Sequence, residues 1–272
     1  MKADNYFDSG FEDADEYEDV QGLVETLEIQ HVDPKLLCIR KKMYEKIKVA
    51  HGDEVLEVGC GLGKTIRDIA DIVGNKVKLT GLDKSGALLA EASRRTDNQH
   101  QNIFYRKGDA NSLPFSDNLY AFVCAERVLM HTRDPKQVLA EMVRTLQEGG
   151  TIAITEPDLS SVEIYPDYND ISKQVVQQWC EYSESPAIGR HLLKYFQDLG
   201  LKNIEILVHA YTMNDFETFE RIRSLTKLVK ALEGNKKIPS EDASTYLQGL
   251  RDAGSAGKFI YYVNIYSISA QK

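Results

Sequence analysis

The chain predicts an α/β protein, with a mostly parallel sheet wound on both faces by helices. Two observations carry that expectation. Short apolar or β-branched runs alternate with segments of helical period over roughly the first 155 residues. The first such run, Val55-Leu56-Glu57-Val58, ends in three glycines spaced two apart (Gly59, Gly61, Gly63), and a helical pattern follows at once (Ile66, Ile69, Ala70, Val73). A strand, a glycine turn and a helix in that order present backbone N–H groups and a helix N-terminus to a ligand.

The elements follow in order. Val20, Leu23, Val24 and Leu27 suggest a short amphipathic helix. Asp33 then reads as an N-cap and Pro34 as a first helical residue, with Leu36, Ile39, Met43 and Ile47 carrying the helix to about Val49. After the glycine turn, strands are expected at 77–82, 102–106, 120–124 and 151–155, the last ended by Glu156-Pro157-Asp158. Ser85 caps a helix through Ala92, and Asp134-Pro135 opens one that Gly149-Gly150 closes. Beyond 156 the alternation loosens. Helices are expected at 168–183, 189–200, 214–232 and 240–253, and strands at 202–211 and 259–268. The expected organisation is an acidic arm with cap helices over 1–50, then one domain over 51–272. That domain carries lid insertions at about 156–190 and 213–254.

Composition narrows the class. The 272 residues are 42% hydrophobic and 28% charged, ordinary for a globular protein. No run approaches the roughly 18 apolar residues of a membrane span, and the N-terminus lacks a secretory pattern. Four cysteines without a CxxC pair argue against a zinc or redox site and fit a cytoplasmic protein with reduced thiols. The net charge of −9 belongs to the leader, because residues 1–30 hold ten acids against Lys2 alone. The remainder is neutral, so no basic footprint for nucleic acid is present. The arm reads either as a solvated segment or as a flap anchored by Tyr6, Phe7, Phe11 and Tyr17.

In a doubly wound sheet the ligand lies across the C-terminal strand ends. Those ends deliver Glu57 and the glycines, then Asp83, then Asp109, then Glu126, Arg127 and His131. A dinucleotide fingerprint, GxGxxG, fails because the third glycine comes one position early. A phosphate loop, GxxxxGK[ST], fails because its first glycine would fall at Val58, and Glu57 would repel a triphosphate.

The E-V-G-C-G-L-G turn at 57–63, Asp83, G-D-A-x-x-L-P-F at 108–115 and V-L-M-H at 128–131 before Asp134-Pro135 form an ordered set. Together they resemble the class I methyltransferases that use S-adenosylmethionine (SAM), in particular their small-molecule, type 11-like branch. The resemblance covers about Asp53 to Asp158, with Tyr120-Ala121 standing where relatives often carry Phe-Asp. It implies a seven-stranded Rossmann-like sheet with one antiparallel strand near the C-terminus and a helical lid. It implies SAM as cofactor, its demethylated product S-adenosylhomocysteine (SAH) after turnover, and no metal. By the same resemblance Gly59, Gly61 and Gly63 pass the backbone under SAM. Glu57 stands near the methionine ammonium, Asp83 holds the ribose and Asp109 the adenine amine, with Cys60, Lys84 and Ala110 completing the cofactor set. Asp109 also suits an ordinary Gly-Asp turn. Arg127 is placed either against the cofactor carboxylate or in an ion pair, with Arg40 a second candidate.

The implied reaction is in-line displacement at the sulfonium methyl, with His131 as the candidate base or as a structural hydrogen-bonding group. Tyr165, Tyr168, Trp179, Tyr182, Phe216 and Phe219 suit a partly apolar or aromatic small-molecule acceptor, with O-methylation ahead of N- and C-methylation. Glu156, Asp158 and Glu163 read as solvated loop acids, or as a site for a cationic or polyol group. The expected protein is a monomer or homodimer. Two alternatives remain at this level: methylation of a macromolecule, and a SAM-binding regulatory subunit without turnover.

Overall fold

The computed structural model describes residues 20–166 and 170–272, together with Asp15. The aromatic anchors proposed for the arm (Tyr6, Phe7, Phe11, Tyr17) and Tyr168 lie outside the described residues. Two cap helices come first, α1 (Val20–Val32) and α2 (Pro34–Tyr44). Asp33 caps α2 by accepting the N–H groups of Lys35 and Leu36, with Pro34 at the first position as the sequence predicts. The helix ends five residues earlier than expected. Ile47 and Val49 instead descend toward β1 (Glu54–Val58), partly buried against Met43 and Tyr44.

The alternation then runs α3 (Lys64–Val73), β2 (Lys78–Asp83), α4 (Gly86–Arg95), β3 (Ile103–Lys107), β4 (Tyr120–Glu126), α5 (Pro135–Thr145) and β5 (Leu146–Tyr165). The C-terminal part comprises α6 (Asp170–Tyr182), α7 (Ile188–Asp198), β6 (Lys202–Met213), α8 (Phe216–Arg223), α9 (Leu225–Gly234), α10 (Ser240–Ser255) and β7 (Ile260–Gln271). The seven strands lie in the order β3-β2-β1-β4-β5-β7-β6. The first five are parallel to one another, and β7 runs antiparallel to both β5 and β6. Strand order reverses between β1 and β4, and there the C-terminal strand ends part to leave a crevice.

Two boundaries differ from expectation for stated reasons. Glu156-Pro157-Asp158 does not end β5. Register with β4 stops at Glu126↔Thr155, whereas pairing with β7 continues to Tyr165↔Ile260. Past Thr155 the strand has one ladder partner, so a proline there costs little. The first ten residues of the expected 156–190 insertion are therefore strand. The single helix expected over 214–232 is two helices, broken at Ser224, whose φ of 47° is left-handed. Glu220 stabilises the break by accepting the Thr226 N–H.

The extended β5–β7 ribbon and β6 support a second core, built with α6, α8, α9 and α10 around Trp179, Phe219, Tyr246, Phe259 and Tyr261. The segments expected as lid insertions thus include packed structure and are not loose loops. A small separate cluster (Leu23, Val24, Leu62, Leu88) holds α1 over the glycine turn. Asp15 meets the start of α4, accepting from Ser85 Oγ (2.6 Å), the N–H groups of Gly86 and Ala87, and Lys107 Nζ (2.7 Å). Those donors, Lys107 foremost, hold its carboxyl far below the usual range.

Candidate functional site

A cavity of about 520 Å³ occupies the crevice at the switch point and runs from the glycine turn to the lid. At the turn, φ is 69° at Gly59 and 48° at Gly61, values that a side chain disfavours. The Gly59 N–H donates to Leu82 O (2.7 Å) and the Gly61 N–H to Asp83 Oδ2 (2.8 Å), tying β1 to β2 across the turn. A Cβ at Gly59 would lie 2.3 Å from Val128 Cγ2, so the turn and the loop after β4 approach as only glycine permits.

Eight of the sequence-predicted site residues line this cavity: Gly59, Gly61, Asp83, Lys84, Asp109, Ala110, Arg127 and His131. Three are absent from its wall. Gly63 caps α3 and faces Tyr105, whose hydroxyl would meet an added Cβ at 2.3 Å. Cys60 is buried with its Sγ against Gly81. Glu57 lies beneath the turn, 3% exposed. Burial pushes its carboxyl well above the ordinary range even though the Ile66 N–H donates to it.

Asp83 is 9% exposed and accepts the Ser85 N–H at Oδ1 (2.9 Å) as well as the Gly61 N–H at Oδ2. Burial raises its pKa against those two bonds. Asp109 lines the cavity and also forms the local turn, accepting from Asn111 N (2.8 Å) and Nδ2 (2.9 Å). Both sequence readings of Asp109 are therefore compatible with one carboxylate.

Sequence reasoning placed Glu126 without finding its partners. Arg40, fully buried on α2, donates Nε to Glu126 Oε2 at 2.7 Å and Nη2 to Oε1 at 3.3 Å. Thr65 Oγ1 donates to Oε2 at 3.2 Å, and Arg127 Nε lies 3.5 Å from Oε1. Burial opposes the Glu126 charge, but Arg127 and Arg40 outweigh it and hold the carboxyl at about 2. Arg127 has a left-handed φ of 56° and also donates to Gln30 of α1.

Glu156 and Asp158 are fully buried, which corrects their reading as solvated loop acids; Glu163 alone is exposed. Glu156 accepts three successive N–H groups, from Val128 and Leu129 at 2.7 Å and Met130 at 3.3 Å, and so fixes the short 3-10 turn that carries His131. Burial still pushes its carboxyl up to about 7. Asp158 is bound by Arg190 and Ser160. The signal for Glu156 was legible only as an acid at a strand end, because its three donors belong to a loop 26–28 residues earlier.

His131 is half-buried in the cavity wall. Desolvation, then Arg127, Lys84 and Arg223, hold its imidazole neutral, with a pKa of about 3. At the lid end the wall is apolar, formed by Met213, Phe219, Ile222, Val263 and Ile265, with Tyr211, Tyr261 and Arg223 among them. Of the aromatic residues singled out in sequence, Phe219 reaches the cavity. Trp179 and Phe216 are buried in the lid core and Tyr165 is exposed.

One feature fits a zwitterionic nucleoside such as SAM. Glu57 Oε2 and Arg127 Nε, one on an acid and one on a base, are buried without a hydrogen-bond partner among the described residues. Among the described residues no His, Cys, Asp and Glu cluster could hold a metal, and no helix is long and apolar enough to cross a membrane.

Residues 55–150 match the family described as a methyltransferase domain. The chain is 28% identical, over 61% of its length, to methyltransferase GfsG of Streptomyces halstedii, and spans 59% of that relative. It spans 65% of another Streptomyces relative. It is 28% identical over 64% of its length to demethylmenaquinone methyltransferase of Bacillus licheniformis, spanning 80% of it. Its fold is similar to that of phosphoethanolamine N-methyltransferase 2 of Haemonchus contortus, solved with SAM. The TM-score is 0.54 at 19% identity, covering 86% of this chain and 52% of that one. The crevice at the switch point and the glycine turn beneath it thus lie in the stretch, β1 to the start of β5, that matches a methyltransferase domain.

Proposed function

We propose that this protein transfers the SAM methyl group to a small-molecule acceptor inside the cavity at the switch point. One observation carries the reading. A single cavity joins the glycine turn, Asp83 and Asp109 at one end to an apolar lid wall at the other. A cofactor held at the first end would direct its methyl group toward an acceptor held at the second. The demethylmenaquinone methyltransferase relative supports a small acceptor.

When bound, SAM supplies a sulfonium leaving group, so the protein's work is alignment and exclusion of water. In this reading Asp83 accepts from the ribose hydroxyls and Asp109 from the adenine amine. Arg127 faces the methionine carboxylate and Glu57, behind the turn, balances the ammonium. Lys84 and Ala110 flank the nucleoside, while Cys60 and Gly63 act through the shape of the turn. A fixed arrangement of this kind converts a bimolecular encounter into an oriented displacement.

His131 stands in the wall between the two ends as a neutral imidazole. With its conjugate acid at about 3 it is a weak base, so its role is to donate or accept a hydrogen bond. An oxygen acceptor suits this environment best. The cations that oppose an imidazolium also favour an acceptor oxygen in its ionised form. The test is methyl transfer from isotopically labelled SAM to hydroxylated, aminated and carbon-acid acceptors. Label in hydroxylated products supports the reading, and label only in amines or at carbon overturns the oxygen preference.

A further inference from the structure

The lid end of the cavity holds a cation in a setting that selects a particular kind of acceptor. Arg223, in the last turn of α8, donates Nη2 to the Tyr261 hydroxyl at 2.8 Å. Its guanidinium lies 5.5 Å from the Tyr261 ring centre and 5.8 Å from that of Trp179. Both rings are 1% exposed, so the guanidinium rests on a rigid aromatic floor. Around it the wall is apolar: Met213, Phe219, Ile222, Val263 and Ile265.

We propose that Arg223 is the anion anchor of the acceptor site, and that the acceptor is an apolar or aromatic molecule bearing one carboxylate or phosphate. The proposal rests on the methyltransferase reading above and goes further by naming the acceptor's chemistry. Three arguments support it. A planar guanidinium held by the Tyr261 hydroxyl beside two buried aromatic rings offers a preorganised fork for a carboxylate or phosphate, and preorganisation reduces the entropy lost on binding. The break at Ser224, which splits one expected helix into α8 and α9, is what ends α8 with Arg223 and Ile222 at the cavity.

The third argument is the distribution of charge. Asp83 and Asp109 lie at the cofactor end, Glu126 is tied to Arg40, and Glu184 accepts from Arg133 at 3.1 Å. Arg127 and Arg223 face one cavity and repel each other, and both oppose a proton on His131. A bound sulfonium would add to this positive field. An anion placed among these groups is attracted by all of them, whereas a neutral or cationic acceptor is not.

The test is calorimetry of the full-length protein with naphthylacetate and with its neutral amide, each measured with and without SAH. The carboxylate is expected to bind about tenfold or more tightly than the amide. Arg223→Gln should remove that preference while SAH affinity stays at the wild-type value, and Arg223→Lys should retain part of it, which shows that the lid still folds. Phenyl phosphate should compete with naphthylacetate if the anchor accepts either anion, and failure to compete restricts it to carboxylates. Equal affinity for carboxylate and amide, discrimination that survives in Arg223→Gln, or no binding of either probe overturns the proposal. Failure of SAH to bind overturns the cofactor reading instead, since the carboxylate–amide comparison is read with or without it.

Discussion

Arg40 and Glu126 form a buried ion pair, Nε to Oε2 at 2.7 Å, that ties the N-terminal cap to the C-terminal end of β4. The two residues are 86 positions apart, and neither belongs to a motif that announces the other. Burial works against the Arg40 charge, yet Glu126 holds it firmly protonated. Arg40→Met would leave Glu126 buried with weakened compensation, at a cost of about 3–5 kcal/mol. The measurement is chemical denaturation. The double variant Arg40→Met/Glu126→Gln is expected to recover most of that loss, because replacing both charges removes the uncompensated one.

Gly59 stands 2.3 Å, at its virtual Cβ, from Val128 Cγ2 and has a φ of 69°. Gly59→Ala therefore adds a steric clash to a left-handed backbone penalty of about 1–2 kcal/mol. Expected is a loss of SAH affinity of about a hundredfold, or failure to fold. Adding Val128→Ala relieves the clash and leaves the backbone penalty, so affinity should return in part. Calorimetric titration of the two variants makes the comparison.

Asp83 accepts a backbone N–H at each carboxylate oxygen. Asp83→Asn turns one of those contacts into donor against donor, with an expected cost of about 1–3 kcal/mol in stability. Its SAH affinity should also fall by about tenfold or more. Thermal melts with and without SAH separate the two effects: the first appears without ligand, the second only with it.

His131 titrates at about 3 in the folded protein against 6.5 when unfolded. Between those values the unfolded chain binds the extra proton, so stability falls as pH falls through that window. His31, held to about 3 by desolvation and by Arg127 and Arg40, contributes with the same sign. His131→Asn is expected to flatten the stability–pH slope between pH 6 and 4 by about 1.4 kcal/mol per pH unit, read by denaturation at several pH values. Its turnover is expected to stay within about tenfold of wild type. A loss of about a hundredfold or more would assign His131 as the base.

These residues mark what a sequence can carry. The glycine turn, Asp83 and Asp109 are local to strand ends, and their order along the chain places them at one sheet edge, so their meeting in one cavity wall was legible. The distant contacts that hold the site in place were not. Glu156 acts on N–H groups of a loop 26–28 residues away, and Arg40 on a carboxylate 86 positions away; no periodicity encodes such pairings. The end of β5 was misplaced because Pro157 usually terminates a ladder, whereas here the neighbour on one side has already stopped at Thr155. The break at Ser224 was hidden because its αL residue is a serine and not a glycine, and its support comes from Glu220.

The most direct measurement is calorimetric titration of the full-length protein with SAH and with SAM. Saturable one-to-one binding of both, weakened in Asp83→Asn, is the expected result. Absence of binding by either ligand to the folded wild-type protein would contradict the assignment of the glycine turn as a SAM cradle.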